Sequence, residues 1–110
     1  MRNLEDFLDH IDGRAPMFTL NQTFSEVCAY IDGFDACSET RTMIEFREWL
    51  TKRRQGLPEL THWGLVLAEY REGFSVAEAR KFSARQNEES IQKIFELLRL
   101  FFVHRRDLTK

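Results

Sequence analysis

The chain has 110 residues, 43% hydrophobic and 31% charged, with two prolines and five glycines, a balance that suits one globular domain with a real core and excludes a disordered chain. Its formal charge of −2 and pI near 5.9 stand against an ordinary basic nucleic-acid-binding domain. The opening MRNLEDFLDH has no apolar run to act as a signal peptide, and the longest apolar stretches, Leu65–Ala68 and Leu100–Val103, fall far short of a membrane span, so the expected setting is the cytoplasm.

Leu4, Phe7, Leu8 and Ile11 recur at helical spacing behind Asn3, a preferred N-cap, and predict a short amphipathic helix that stops at Gly13, with Pro16 preventing resumption. Residues 14–22 are expected to be irregular. Thr23-Phe-Ser-Glu26 is a capping box that launches Phe24, Val27, Cys28, Ile31 and Phe34 along one face. A third helix is expected from about Ser38 to Gly56, turning Met43, Phe46, Trp49 and Leu50 inward, and Pro58 marks its end. Lys52, Arg53 and Arg54 then fall in its last turn, where the helix dipole favours cations, and Glu48 stands four residues before Lys52. A fourth helix is expected over 59–72 with Trp63, Val66, Leu67 and Tyr70 on one stripe, despite Gly64 inside it.

Ser75-Val-Ala-Glu78 reads as a second capping box opening a modest helix with Val76, Ala79 and Phe82 inward. Asn87 is the candidate cap of the last helix. There Ile91, Ile94, Phe95, Leu98, Phe101 and Phe102 make one face, and Leu97 and Leu100 widen it so far that the helix should lie centrally. The expected fold is therefore all-α, a single domain over 1–110 forming a bundle of five to six helices around an apolar C-terminal helix. Its core should include Phe24, Ile31, Phe46, Trp63, Phe95 and Leu98.

The chemistry of catalysis is not signalled. His10, His62 and His104 lie on different segments without metal-ligand spacing, Cys28 and Cys37 form no Cys-x-x-Cys, and no phosphate-binding glycine loop occurs. No enzyme activity, metal or cofactor is expected, and both cysteines are expected to be reduced thiols. The informative feature is charge. Residues 1–50 carry ten acids against four arginines, a balance of −6, and residues 51–110 carry twelve bases against eight acids, a balance of +4; such a split concerns partners and steering. Asp32, Asp35 and Glu39 cluster around a predicted helix C-terminus, where negative charge is penalised, and Glu45 of the following helix is expected to join them. Asp35 or Ser38 could cap the following helix, but Asp32 gains nothing locally, and neither aspartate belongs to an apolar stripe. The four acids are the candidate partner-binding residues, expected at the surface.

Arg14-x-Pro16-Met17-Phe18, Tyr30-x-x-Gly33-Phe34, Phe46-Arg47-Glu48-Trp49-Leu50 and His62-Trp63 together resemble the landmarks of small helical bacterial immunity proteins of polymorphic toxin systems, those of contact-dependent growth inhibition in particular. The resemblance spans residues 14 to 70. It implies a cytoplasmic monomer or weak dimer that binds a cognate protein toxin, often a nuclease, and blocks its active site or substrate groove. A ribonuclease groove attracts phosphate, so an acidic inhibitor surface would complement it. The alternative is a DNA-binding transcriptional regulator, because the small and basic residues of 75–98, with Arg80, Lys81 and Arg85, superficially look like a helix-turn-helix without its turn glycine.

Overall fold

Every helix leaves backbone N–H groups unpaired at its start, and the way this chain answers them fixes where its helices begin. A computed structural model describes residues 3–14, 17, 19–38, 41–54, 61–71 and 77–108, the Arg54 side chain excepted. The described residues form five α-helices and no strand: α1 (Leu4–Ile11), α2 (Phe24–Ala36), α3 (Thr42–Arg54), α4 (His62–Tyr70) and α5 (Ala84–Leu108), with a 3-10 turn at Glu78–Lys81 before α5. The all-α bundle read from the sequence is the observed one.

In α1 the Asn3 side-chain oxygen accepts the Asp6 N–H at 2.9 Å, Leu4, Phe7, Leu8 and Ile11 are buried, and Gly13 leaves the helix in left-handed backbone at φ +77. In α2 the Thr23–Glu26 capping box is complete, and Phe24, Val27, Cys28 and Ile31 are buried. Pro16, Gly56, Pro58 and Ser75, which carry expected stops and a cap, lie outside the described residues.

Three boundaries differ from expectation. The third helix starts at Thr42 rather than near Ser38, because the Ser38 hydroxyl and N–H both turn back to the Asp35 carbonyl and close α2. The fourth is the shorter His62–Tyr70, capped by Thr61, whose hydroxyl accepts the Gly64 N–H at 3.1 Å. The last starts at Ala84, where Ser83 and Gln86 exchange hydrogen bonds as a capping box. Asn87 therefore sits inside α5 and caps another helix. Its buried side-chain oxygen accepts the Phe24 N–H of α2 at 2.9 Å, and its amide nitrogen donates to the Phe82 carbonyl.

The buried apolar residues of all five helices form one cluster, which α5 lines from Ile91 to Phe102 and which contains all six residues expected in the core. Helices α2, α3 and α4 pack on α5, and α3 and α4 also pack on each other. Phe46 is fully buried and meets the rings of Trp49, Trp63 and Phe101. Leu97 is buried as expected, whereas Leu100 is 43% exposed, so one side of α5 faces outward. No helix among the described residues is long and apolar enough to cross a membrane. Phe46→Ala should cost about 3–5 kcal/mol in a denaturant melt, as for other emptied aromatic core sites; a loss near zero would mean that the ring cluster does not organise the bundle.

Candidate functional site

The outward face of α2 collects short side chains, because Ser25, Ala29, Gly33 and Ala36 recur three or four residues apart and all are exposed. Gly33 has ordinary helical φ, and a methyl group built on it would meet no atom within 4 Å. Neither backbone strain nor internal packing requires a glycine there. Tyr30 borders this strip on one side, 42% exposed and stacked on Phe7 with ring centroids 5.7 Å apart, and Leu20 stands nearby, 89% exposed. Thr19, Leu20, Glu26, Ala29 and Tyr30 line a depression of about 340 Å³.

The loop that supplies Leu20 is held from within α2. The Glu26 carboxylate accepts the N–H groups of Leu20, Asn21 and Thr23 at 3.0–3.3 Å. These hydrogen bonds, the Thr23 one foremost, hold its pKa below the ordinary 4.5. Gln22 takes left-handed backbone at φ +54 within the same loop.

On the other border of the strip stands Asp32, with its side chain 43% exposed. One carboxylate oxygen lies 2.8 Å from His62 Nε2, and the other accepts the Trp63 indole N–H at 2.6 Å. This answers the lack of a local benefit at Asp32, since the carboxylate clasps α2 to the first turn of α4. Among the described residues no hydroxyl or thiol is hydrogen-bonded to His62, and no group of histidine, cysteine and carboxylate side chains could hold a metal ion.

The four candidate acids do not form one exposed patch. Asp35 is only 6% exposed, and its Oδ2 accepts the Met43 N–H at 3.1 Å, so it caps α3 from the end of α2; this corrects the expectation of a surface position. Its Oδ1 is buried without a hydrogen-bond partner among the described residues. The positive end of the α3 dipole faces this carboxyl group. Glu45 lies on α3, 3.5 Å from Arg105. Glu39 lies outside the described residues.

The opposite charges of the two halves meet inside the molecule. Arg99 reaches Asp12 at 2.7 Å and Asp9 at 3.0 Å, and these carboxylates raise its pKa further. Arg106 pairs with Glu5 at 3.2 Å. Arg53 pairs with Glu69 at 2.6 Å and lies over the Trp49 ring. Arg80, Lys81 and Arg85 are exposed, Arg85 lying 3.6 Å from Glu89. The segment that looked like a helix-turn-helix is a 3-10 turn leading into the long α5, whose inner face is buried along most of its length.

The resemblance landmarks divide by exposure. Phe46, Leu50 and Trp63 are core residues, while Tyr30 and Gly33 look outward from α2. Sequence reasoning missed the Asp32–His62–Trp63 clasp, although the missing local benefit at Asp32 was its signal. Comparison with protein-family models, curated proteins and solved structures finds no match to the chain.

Two predictions come from this geometry. Asp35→Lys should destabilise the fold by about 3–5 kcal/mol, since it buries a cation against the start of α3, whereas Asp32→Lys should lose about 1–2 kcal/mol with its two hydrogen bonds; equal, negligible losses in urea melts would place both at the surface. Cys37 is exposed, while burial and the neighbouring Asp32 charge push the Cys28 thiol well above its usual pKa. A thiol reagent should therefore modify one cysteine rapidly and the second only after unfolding, which peptide mapping would read directly.

Proposed function

We propose that this chain is a cytoplasmic immunity protein that binds a cognate bacterial toxin domain, a nuclease and by preference a ribonuclease, and blocks its active site or substrate groove without a catalytic step of its own. The observation that carries the reading is Gly33. A glycine inside a helix costs roughly 0.5–1 kcal/mol relative to alanine, and here neither φ nor a neighbouring atom asks for one. A partner that comes close to the α2 backbone gives the position a purpose. Exposed Tyr30 and Leu20 supply the apolar anchors beside it, and half-exposed Asp32 supplies an acceptor for a basic group on the partner.

Binding in this reading depends on shape more than on net charge, because Glu5, Asp9, Asp12 and Glu45 are already engaged by cations of α5. The pairing of Arg53, Arg105 and Arg106 with carboxylates likewise supports a protein partner over a nucleic acid. Electrostatic steering then rests on a few groups, and association should slow only modestly as salt rises.

The test is substitution at Gly33 with the toxin domain encoded beside this gene. Gly33→Ala should raise stability by about 0.5–1 kcal/mol, and Gly33→Leu should still fold, yet weaken toxin binding by about tenfold or more through the loss of close approach. Full protection of cells and unchanged affinity in a folded Gly33→Leu protein would remove α2 from the interface and the reading with it.

A further inference from the structure

A second concavity lies on the other side of the same loop. Where Leu20 opens onto the α2 strip, its neighbours Asn21 and Gln22 face a groove of about 620 Å³ between the end of α1 and the first half of α5. Glu88, Ile91, Gln92 and Phe95, spaced along one face of α5, line it; Ile91 and Phe95 are nearly covered and form its apolar floor. Asp12 and Gly13 close the end nearest Phe95, and Gly13 adds no side chain to it. Among the described residues, the lining contains two carboxylates and several carboxamides but no cationic residue. Asp12 holds Arg99 through Oδ2, while Glu88 is exposed and enters none of the ion pairs of the described residues.

We propose that this groove between α1 and α5 is a subsite for an arginine side chain of the protein partner. The chemistry follows from the lining. An apolar floor with an aromatic ring suits the stem and the planar face of a guanidinium, and carboxylate and amide oxygens at the margin suit its fork of donors. Asp12 is already held by Arg99 and the Asn87 amide by Phe24 and Phe82, so the charge left to the groove is Glu88, which attracts a cation and repels an acidic side chain. Lysine carries the charge without the planar face and binds more weakly. The subsite continues from the α2 strip across residues 20–22, so one partner can cover both. Its assignment to a toxin rests on the function proposed above, but the groove can be tested without the toxin.

The probe is N-acetyl-arginine amide, titrated into the full chain and followed by amide NMR shifts, with the uncharged isostere N-acetyl-citrulline amide as control. Saturable shifts at Gln22, Glu88, Ile91, Gln92 and Phe95 are expected with the arginine probe and much weaker ones with the control. Glu88→Gln should keep the same melting curve and weaken the probe about fivefold, a typical contribution from one exposed charged contact. In the complex, the same variant should lower toxin affinity while Gly33 remains essential. Equal binding of the two probes, shifts elsewhere on the surface, or no effect of Glu88→Gln would overturn the subsite. If Gly33→Leu abolishes protection and the probe still fails, only the groove is wrong; if the probe binds as described and the toxin does not, the function is wrong and the groove stands.

Discussion

The length of α5 is the constraint to which the other helices answer. At 25 residues it runs for about 37 Å, whereas α2 and α3, at 13 residues, reach about 20 Å each. A buried face that long is covered only by helices arranged in succession. Near its start Phe24 of α2 and Tyr70 of α4 meet Asn87 and Glu89; near its end α1 and α3 meet Arg99, Phe101, Arg105 and Arg106. Short helices that each cover part of a longer one begin and stop within the body of the protein, where water cannot satisfy their free N–H groups. Asn87 answers this for α2, and Asp35 answers it for α3. Both are polar residues in the core because helix ends are there too.

The charge split has the same origin. Helices α1 and α3 bring Glu5, Asp9, Asp12 and Glu45 to the flanks of α5, whose outer margins carry Arg99, Arg105 and Arg106. Each pair is at least partly exposed and contributes little stability alone. Together they orient the short helices against the long one, and they reverse the first meaning of the asymmetry: acid in the first half complements base in the second before it complements any partner. The exposed surface is consequently less acidic than the sequence implies, and on α2 it consists of short side chains bordered by Tyr30 and Leu20.

What was legible in the sequence was local. Asn3, Thr23–Glu26 and the apolar stripes of α1, α2 and α5 depend on neighbours within four residues, and each stands where the pattern placed it. Asn87 was correctly read as a cap but assigned to its own helix, since no periodicity reveals a hydrogen bond to Phe24, 63 residues away. Asp35 has two readings in the sequence, a surface acid because it breaks the apolar stripe and a cap of the following helix; the second is observed, since its carboxylate accepts the Met43 N–H. Leu100 was counted with the buried face from hydrophobicity alone; no neighbouring helix covers that side. Of the residues around the α2 strip, the sequence offers only Asp32 as a binding residue; Tyr30 and Gly33 stand there as landmarks of the resemblance, and the groove at Glu88 required the fold to bring residues 12, 22 and 88 together.

Glu26 connects the start of α2 to the loop before it. Its carboxylate does more than complete a capping box, because the same two oxygens also gather the N–H groups of Leu20 and Asn21. The loop between the α2 strip and the α5 groove thereby has its shape set by the first turn of α2. A binding surface ordered in advance avoids the entropy of ordering a loop on association, so its contacts convert more fully into affinity. The order is conditional on charge. The folded pKa of Glu26 is depressed, so the stability it contributes is present above the ordinary carboxyl value and is lost as pH falls through the lower one. Near neutral pH the carboxylate is ionised and holds the loop, so Leu20 on one side and Gln22 on the other share a backbone path that Glu26 fixes.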